Sequence, residues 1–325
     1  MKAAVMYQKG DAPHYEEFPE PVVQNENELL IQVKAAAIKN IDRSRASGRH
    51  YSAATENKRQ GTIIGGDGVG LLADGTRVYA MGERGMIAEQ AVIEKSRMVK
   101  VPKELDDATA AALPNAVIGA AMGLRFRAAM KKGDVVLVNG ATSFTGRVAI
   151  QIAKHYGAKK IIATGRDPES LKSLLALGAH EVVSVGQDDD AFLTTIRSLN
   201  TLTPIDVIID YLWGHSAELV LSALKGKGSF THPVRFVSVG SVTGDKLQLS
   251  AENLRSVNLQ LLGSGLGSWT REEVGLLFTD ILPEMFQLAA NDQLKIGTVT
   301  VPLQDIESIY NIPVPGGKRL VVQMN

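Results

Sequence analysis

The chain contains no cysteine in 325 residues. Disulfides, thiolate nucleophiles, iron–sulfur clusters and every cysteine-containing zinc site are excluded by that alone. Net charge is also missing, because 35 Lys and Arg offset 35 Asp and Glu. A globally basic surface for nucleic acid or an anionic membrane is therefore absent. Aromatic residues make up only 5%, which leaves little for stacking on single-stranded bases. Long hydrophobic runs are scarce too. The longest uncharged stretch, Ala108 to Leu124, falls short of the ~20 residues of a membrane helix, and Pro114 and Asn115 interrupt it. The opening MKAAVMYQKGD lacks the apolar region of a signal peptide. These absences predict a cytoplasmic protein with no nucleic-acid and no membrane partner.

What is present is ordinary globular composition, 45% hydrophobic and 22% charged, in a chain long enough for two domains. The first hundred residues read as short strands, Leu29 to Ile38, Thr76 to Ala80 and Ala88 to Glu94, punctuated by glycine. That rhythm predicts a barrel-like β domain. The middle then alternates. VVLVN (135–139), KIIAT (160–164), EVVSV, DVIIDY, RFVSVG and LQLLG (259–263) are apolar strand runs, and helical stretches separate them. Such alternation predicts a doubly wound parallel sheet covered on both faces, an α/β fold. The tail carries one long helical segment, Arg271 to Ala290, then GTVTVP and a closing strand in KRLVVQM.

Between the first middle strand and its helix lies Gly140-Ala-Thr-Ser-Phe-Thr-Gly146. A tight turn at that place lets backbone amides and a helix N-terminus face a pyrophosphate. Strict GxGxxG spacing is absent, so the loop gains its meaning from the strand before it and the helix after it. The second strand ends in Thr164-Gly165-Arg166-Asp167. Asp167 precedes Pro168 and reads as a helix cap. Arg166 is then left to face a ribose 2′-phosphate, which favours NADPH over NADH.

Nine stretches in order, among them AAAIKNIDRSRASG (35–48), IIGGDGVG (63–70), KKGDVVLVNGATSFTGRVAIQIAKHYGA (131–158), RFVSVG (235–240) and GGKRLVVQ (316–323), carry a resemblance. The chain resembles the medium-chain dehydrogenase/reductase superfamily, in its zinc-independent quinone oxidoreductase-like branch. The resemblance implies a GroES-like β-barrel catalytic domain, residues 1–116 and 266–325, around a Rossmann dinucleotide-binding domain, residues 117–265. It further implies a nicotinamide in the cleft between them, and a homodimer. It extends the cofactor-binding set from Thr142, Ser143, Phe144, Thr145, Gly146, Gly165 and Arg166 to Tyr211, Val239, Gly240, Ser241 and Ser264.

Zinc-dependent members of that superfamily place a Cys shortly before the residue matching Asp42, and a His at the second position of Gly65-Gly66-Asp67-Gly68-Val69-Gly70. Here those positions hold Lys39 and Gly66, and the six histidines show no short-range pairing. No metal is expected. Two glycines of the family's loop are replaced, with Phe144 set to crowd a pyrophosphate. Without a Lewis acid, hydride acceptors that spread the incoming charge themselves are favoured. The expected substrate is a quinone or an activated alkene such as an enone. Lys39, Asn40 and Tyr51 are the candidates for donating to its oxygen. Lys39 has a second reading, as a lysine snorkelling at the barrel surface. The alternative function is an NADPH-binding regulatory or interaction protein with little turnover.

Overall fold

The computed structural model describes residues 1–48, 50, 61–226 and 228–324. The chain divides into two compact units, Met1–Asn115 with Phe278–Asn325, and Ala116–Leu277.

The second unit is built on a six-stranded parallel sheet. Its strands are β1 (Val135–Asn139), β2 (Lys160–Gly165), β3 (Glu181–Ser184), β4 (Val207–Asp210), β5 (Val234–Ser238) and β6 (Leu259–Gly263). They lie in the order β3-β2-β1-β4-β5-β6, with every neighbouring pair parallel. This is the doubly wound nucleotide-fold order, whose direction of winding reverses between β1 and β4. All residues of β1 and β4 are buried, as expected of β-branched runs covered by helices on both faces. β6 closes the sheet as a half-exposed edge.

Helix α1 (Phe144–His155) follows β1 and turns Val148, Ala149 and Ile152 inward. Helix α2 (Pro168–Leu174) follows β2. It is capped by Asp167, whose side chain accepts from the Ser170 backbone N–H at 2.7 Å. A 3₁₀ turn over Leu175–Leu177 tightens the end of α2 before Gly178, at φ 114°. Helices α3 (Asp189–Leu202) and α4 (Gly214–Ala223) flank β4, and α5 (Ala251–Ser256) precedes β6. Phe192, Ile196, Ile208 and Phe236 centre the core on one face of this sheet.

The first unit holds a mostly antiparallel sheet that curls on itself. Strand Glu28–Ile38 pairs with Gln90–Lys100 through its first half and with Asp67–Leu71 beyond it, and a bulge between Val33 and Ala35 turns it. Asp67–Leu71, Arg77–Gly82 and Gln90–Lys100 complete the circuit, so this small sheet is barrel-like. Lys318–Gln323, from the chain end, adds antiparallel to Glu28–Ile38. The two ends of the chain thus share one core around Ile31, Val33, Val78, Leu320 and Val322.

Two helical segments depart from the sequence reading. Pro114 does not break its segment: it lies inside the helix Asp107–Val117, which continues as a wide π-helical stretch over Ile118–Arg127. Pro114 has no N–H to give the helical ladder, and the π-helical stretch closes on i→i−5 bonding, Ala128 N–H to Gly123 C=O at 2.8 Å. The stretch Arg271–Ala290 is helical throughout but widens over Leu277–Ile281, just before Pro283. Among the described residues, no helix is long and apolar enough to cross a membrane.

Candidate functional site

The glycine loop leaves β1 at the switch point of the sheet, where open α/β folds bind ligands. Gly140 takes φ 85°, a left-handed turn that suits glycine. Ser143 caps α1: its hydroxyl accepts from Gly146 N–H at 3.1 Å and donates to Gly140 C=O at 2.9 Å. Thr145 Oγ1 stands 3.3 Å from that hydroxyl. A Cβ on Gly146 would come within 2.5 Å of Ala141 Cα, so only glycine lets the helix pack this close to the loop. The Phe144 side chain is buried, at 7% exposure.

The end of β2 sits against the same loop. Ala141 N–H donates to Thr164 C=O at 2.8 Å. A Cβ on Gly165 would lie 2.4 Å from Thr142 Cγ2, so glycine there makes room for the loop. Thr142 C=O accepts from Arg147 Nε at 3.3 Å, and Arg147 Nη2 reaches Ser173 on α2 at 2.9 Å. Arg166, directly after β2, is exposed and makes no hydrogen bond or ion pair among the described residues.

The other expected contacts follow the neighbouring strands. Tyr211 ends β4 buried, and its hydroxyl has no hydrogen-bond partner among the described residues. Burial pushes that phenol's pKa up. Gly240, after β5, lies so near that a Cβ would sit 2.8 Å from Tyr211 C=O. Val239 is half-buried and Ser241 exposed. Ser264, after β6, is buried and accepts from Trp269 Nε1 at 3.3 Å. These residues and the glycine loop occupy the carboxyl edge of one sheet. A glycine-lined strand edge with an orphaned buried hydroxyl and an unpaired guanidinium suits an elongated phosphate-bearing ligand.

Sequence reasoning missed the polar side chains beneath this edge. Asn139, Thr164 and Asp210, the last or near-last residues of β1, β2 and β4, have zero exposure. They are hydrogen-bonded to one another, with Asn139 donating to Asp210 Oδ1 at 2.7 Å and Thr164 donating to Asn139 at 2.6 Å. The available signal was a polar residue closing each apolar run, as in VVLVN and VIID.

In the first unit, Lys39 follows strand Glu28–Ile38 and begins the helix Asn40–Ala46. It is buried, at 2% exposure, rather than snorkelling at the surface. Its ammonium contacts Asp67 Oδ1 and lies 3.2 Å from Asp42 Oδ2. Asp42 also accepts from the Lys39 backbone N–H at 3.0 Å, and Asp67 Oδ2 accepts from Tyr79 Oη at 2.6 Å. Burial drives the Lys39 pKa down, and Asp42 offsets part of the shift. Two flanking carboxylates favour the charged form and oppose that shift. Arg319, also buried, is pushed down to about 10 by desolvation. Asn40 is exposed. Tyr51 lies outside the described residues.

Comparison with known proteins agrees with this architecture. A family described as "Zinc-binding dehydrogenase" matches residues 145–281. The "Probable NADPH-dependent quinone reductase tdiC" of Emericella nidulans is 25% identical, over 95% of this chain and 96% of its own. These matches make the chain similar to the medium-chain dehydrogenase/reductase superfamily, in its quinone oxidoreductase-like branch. Another relative, the "NADPH-dependent alkenal/one oxidoreductase, chloroplastic" of Arabidopsis thaliana, is 34% identical over 47% of this chain and 44% of its own. Among solved structures, the quinone oxidoreductase of Thermus thermophilus, also solved with NADPH, aligns with a TM-score of 0.76. That pair shares 24% identity over 99% of this chain and 100% of the other, which establishes a common fold. A parallel nucleotide-type sheet and a small antiparallel barrel-like sheet make up that fold.

Proposed function

We propose that this chain is a zinc-independent, NADPH-dependent reductase that passes hydride to a quinone or an activated alkene. The observation that carries the reading is the glycine-floored turn at the switch point, with the unpaired Arg166 at the end of the adjacent strand. Relatives named as NADPH-dependent quinone and alkenal reductases support the same reading. No observation favours the alternative of a cofactor-binding regulator.

In this reading Thr142, Ser143, Phe144, Thr145 and Gly146 admit the diphosphate to the backbone, and Gly165 leaves space beside them. Arg166 pairs with the 2′-phosphate, and Tyr211, Val239, Gly240, Ser241 and Ser264 complete the cofactor contacts. NADPH, when bound, supplies the hydride. The protein orients the acceptor and delivers a proton to its reduced oxygen. Lys39 is the proposed donor, with Asn40 and Tyr51 as the other candidates. What supports metal independence is the donor set. At the positions that supply Cys and His in zinc-dependent relatives stand an ammonium without a lone pair and a glycine. Among the described residues, no three His, Cys, Asp or Glu side chains converge as ligands.

The test is NADPH consumption, followed by its near-ultraviolet absorbance, against a panel of quinones and enones with and without EDTA. Turnover with at least one class, indifferent to chelator, is expected. Absence of turnover with every acceptor, or activity lost to EDTA and restored by zinc, would overturn it.

The reading includes a cytoplasmic homodimer. β6 ends the sheet with no outer partner among the described residues, and Leu261 on it is 38% exposed. An open apolar strand edge is a template for a second chain. Leu261→Asp should convert the dimer to a monomer with unchanged circular dichroism, as read by light scattering. A wild-type protein that scatters as a monomer would refute the dimer.

A further inference from the structure

Asp210 is a fully buried carboxylate at the switch point, and its ligation is complete. Oδ1 accepts from Asn139 Nδ2 at 2.7 Å and from Leu212 N–H at 3.2 Å, while Oδ2 accepts from Trp213 N–H at 2.9 Å. Three donors and no acceptor suit the ionised form. Asn139, on β1 across the switch point, accepts in turn from Thr164 at 2.6 Å and Ser216 at 3.0 Å. Thr164 Oγ1 accepts from Gly140 N–H at 3.2 Å. One hydrogen-bond chain therefore runs from the first residue of the glycine loop, beneath the ends of β2 and β1, to the turn after β4.

That turn is strained. Trp213 adopts φ 58°, ψ −160°, a conformation rare for a bulky residue. Thr243 Oγ1 pins it from the other side, donating to Leu212 C=O and Trp213 C=O at 3.0 Å each. A buried charge is expensive to retain, and an apolar pair would serve stability as well or better. Burial has pushed the Asp210 pKa up to about 6 despite its three donors. Strain and a buried charge maintained together, at a ligand-binding edge, mark a site where geometry is held at the expense of stability.

We propose that Asp210 and Asn139 are the positioning pair of the cofactor crevice, and that ionised Asp210 holds the Trp213 turn in its binding-competent form. The inference rests on the proposed function. Protonation of Asp210 adds a hydrogen where Asn139, Leu212 and Trp213 already donate, so it should release the turn and weaken cofactor binding.

One other titratable group of this unit adjoins the pair. Tyr211 is the adjacent buried phenol. His215, in the first turn of α4, is exposed and faces Asp189 at 2.9 Å and Glu218 at 3.6 Å. His180 and His232 bond to Ile161 and Ile205 near the amino ends of the strands, and Arg235 pairs with Asp134 there at 2.9 Å. His155 closes α1.

The test is NADH affinity by nicotinamide fluorescence, because NADH lacks a 2′-phosphate that itself titrates near pH 6. Wild-type affinity should fall about fourfold between about pH 7.5 and about 5.5, following the ionised fraction of a group titrating near 6. His215→Asn should keep that fall. Asp210→Asn should abolish it and bind at neutral pH as weakly as the wild type does in acid. A flat wild-type profile, a fall that survives in Asp210→Asn, or a fall that vanishes in His215→Asn would overturn the inference. Should Asp210→Asn not fold, the wild type and His215→Asn decide: a fall in both supports it, and a flat profile in either overturns it. A wild type that binds neither nucleotide at any pH would sink the proposed function itself.

Discussion

Lys39→Met should lower kcat by about 10²-fold, the low end for a positioned proton donor, with NADPH affinity little changed. The structure adds a second expected effect. Methionine keeps the stem but removes the ammonium between Asp42 and Asp67, whose side chains are 9% and 5% exposed. Buried carboxylates stripped of their counter-ion typically lose about 3–5 kcal/mol of stability. The melting temperature should drop accordingly. The deficit should shrink in acid, where the orphaned carboxylates can take up protons and the buried charge disappears. Kinetics well below the new melting point separate the two effects. An unchanged kcat in folded protein would move the donor role to Asn40, Tyr51 or water, and leave Lys39 as the barrel's internal counter-ion.

The second large effect concerns cofactor choice. Arg166→Ala should weaken NADPH binding by about tenfold, a modest value for a charge-assisted hydrogen bond because Arg166 starts out solvated. NADH affinity should stay the same. Asp167 does not compete for the ribose in this scheme, because its carboxylate already caps α2, where the Ser170 bonds hold its pKa below the usual carboxylate value. Titration of both nucleotides against both proteins checks the claim. Equal wild-type affinities for NADPH and NADH would refute it, as would an Arg166→Ala variant that loses NADH binding in parallel.

Much of the dinucleotide-type unit was legible because its signals are local. Continuous β-branched runs such as VVLVN and DVIIDY can be buried only between two helix layers, and their alternation with helices allows few topologies. Asp167-Pro168 announces a helix start through cap chemistry alone. Pro114 misled for the opposite reason. Its penalty is local, yet the buried helix Asp107–Val117 carries it and runs on into the π-helical stretch, and no single-residue propensity reports that. The site was half legible. Gly146 and Gly165 stand out in sequence, whereas Asn139 and Asp210 look like any polar residues at strand ends.

The sequence by itself determined the superfamily resemblance, the parallel character of the second unit's sheet, the glycine turn and the basic residue after the second strand, since short local stretches carry each of them. Tertiary structure decided the rest. Lys39 and Asp67 are 28 residues apart, and Asn139 and Asp210 are 71 apart. Only folding brings such groups into contact and takes them out of water. Desolvation and pairing then turn an ordinary lysine into a buried ion pair and an ordinary aspartate into a carboxylate that titrates near 6.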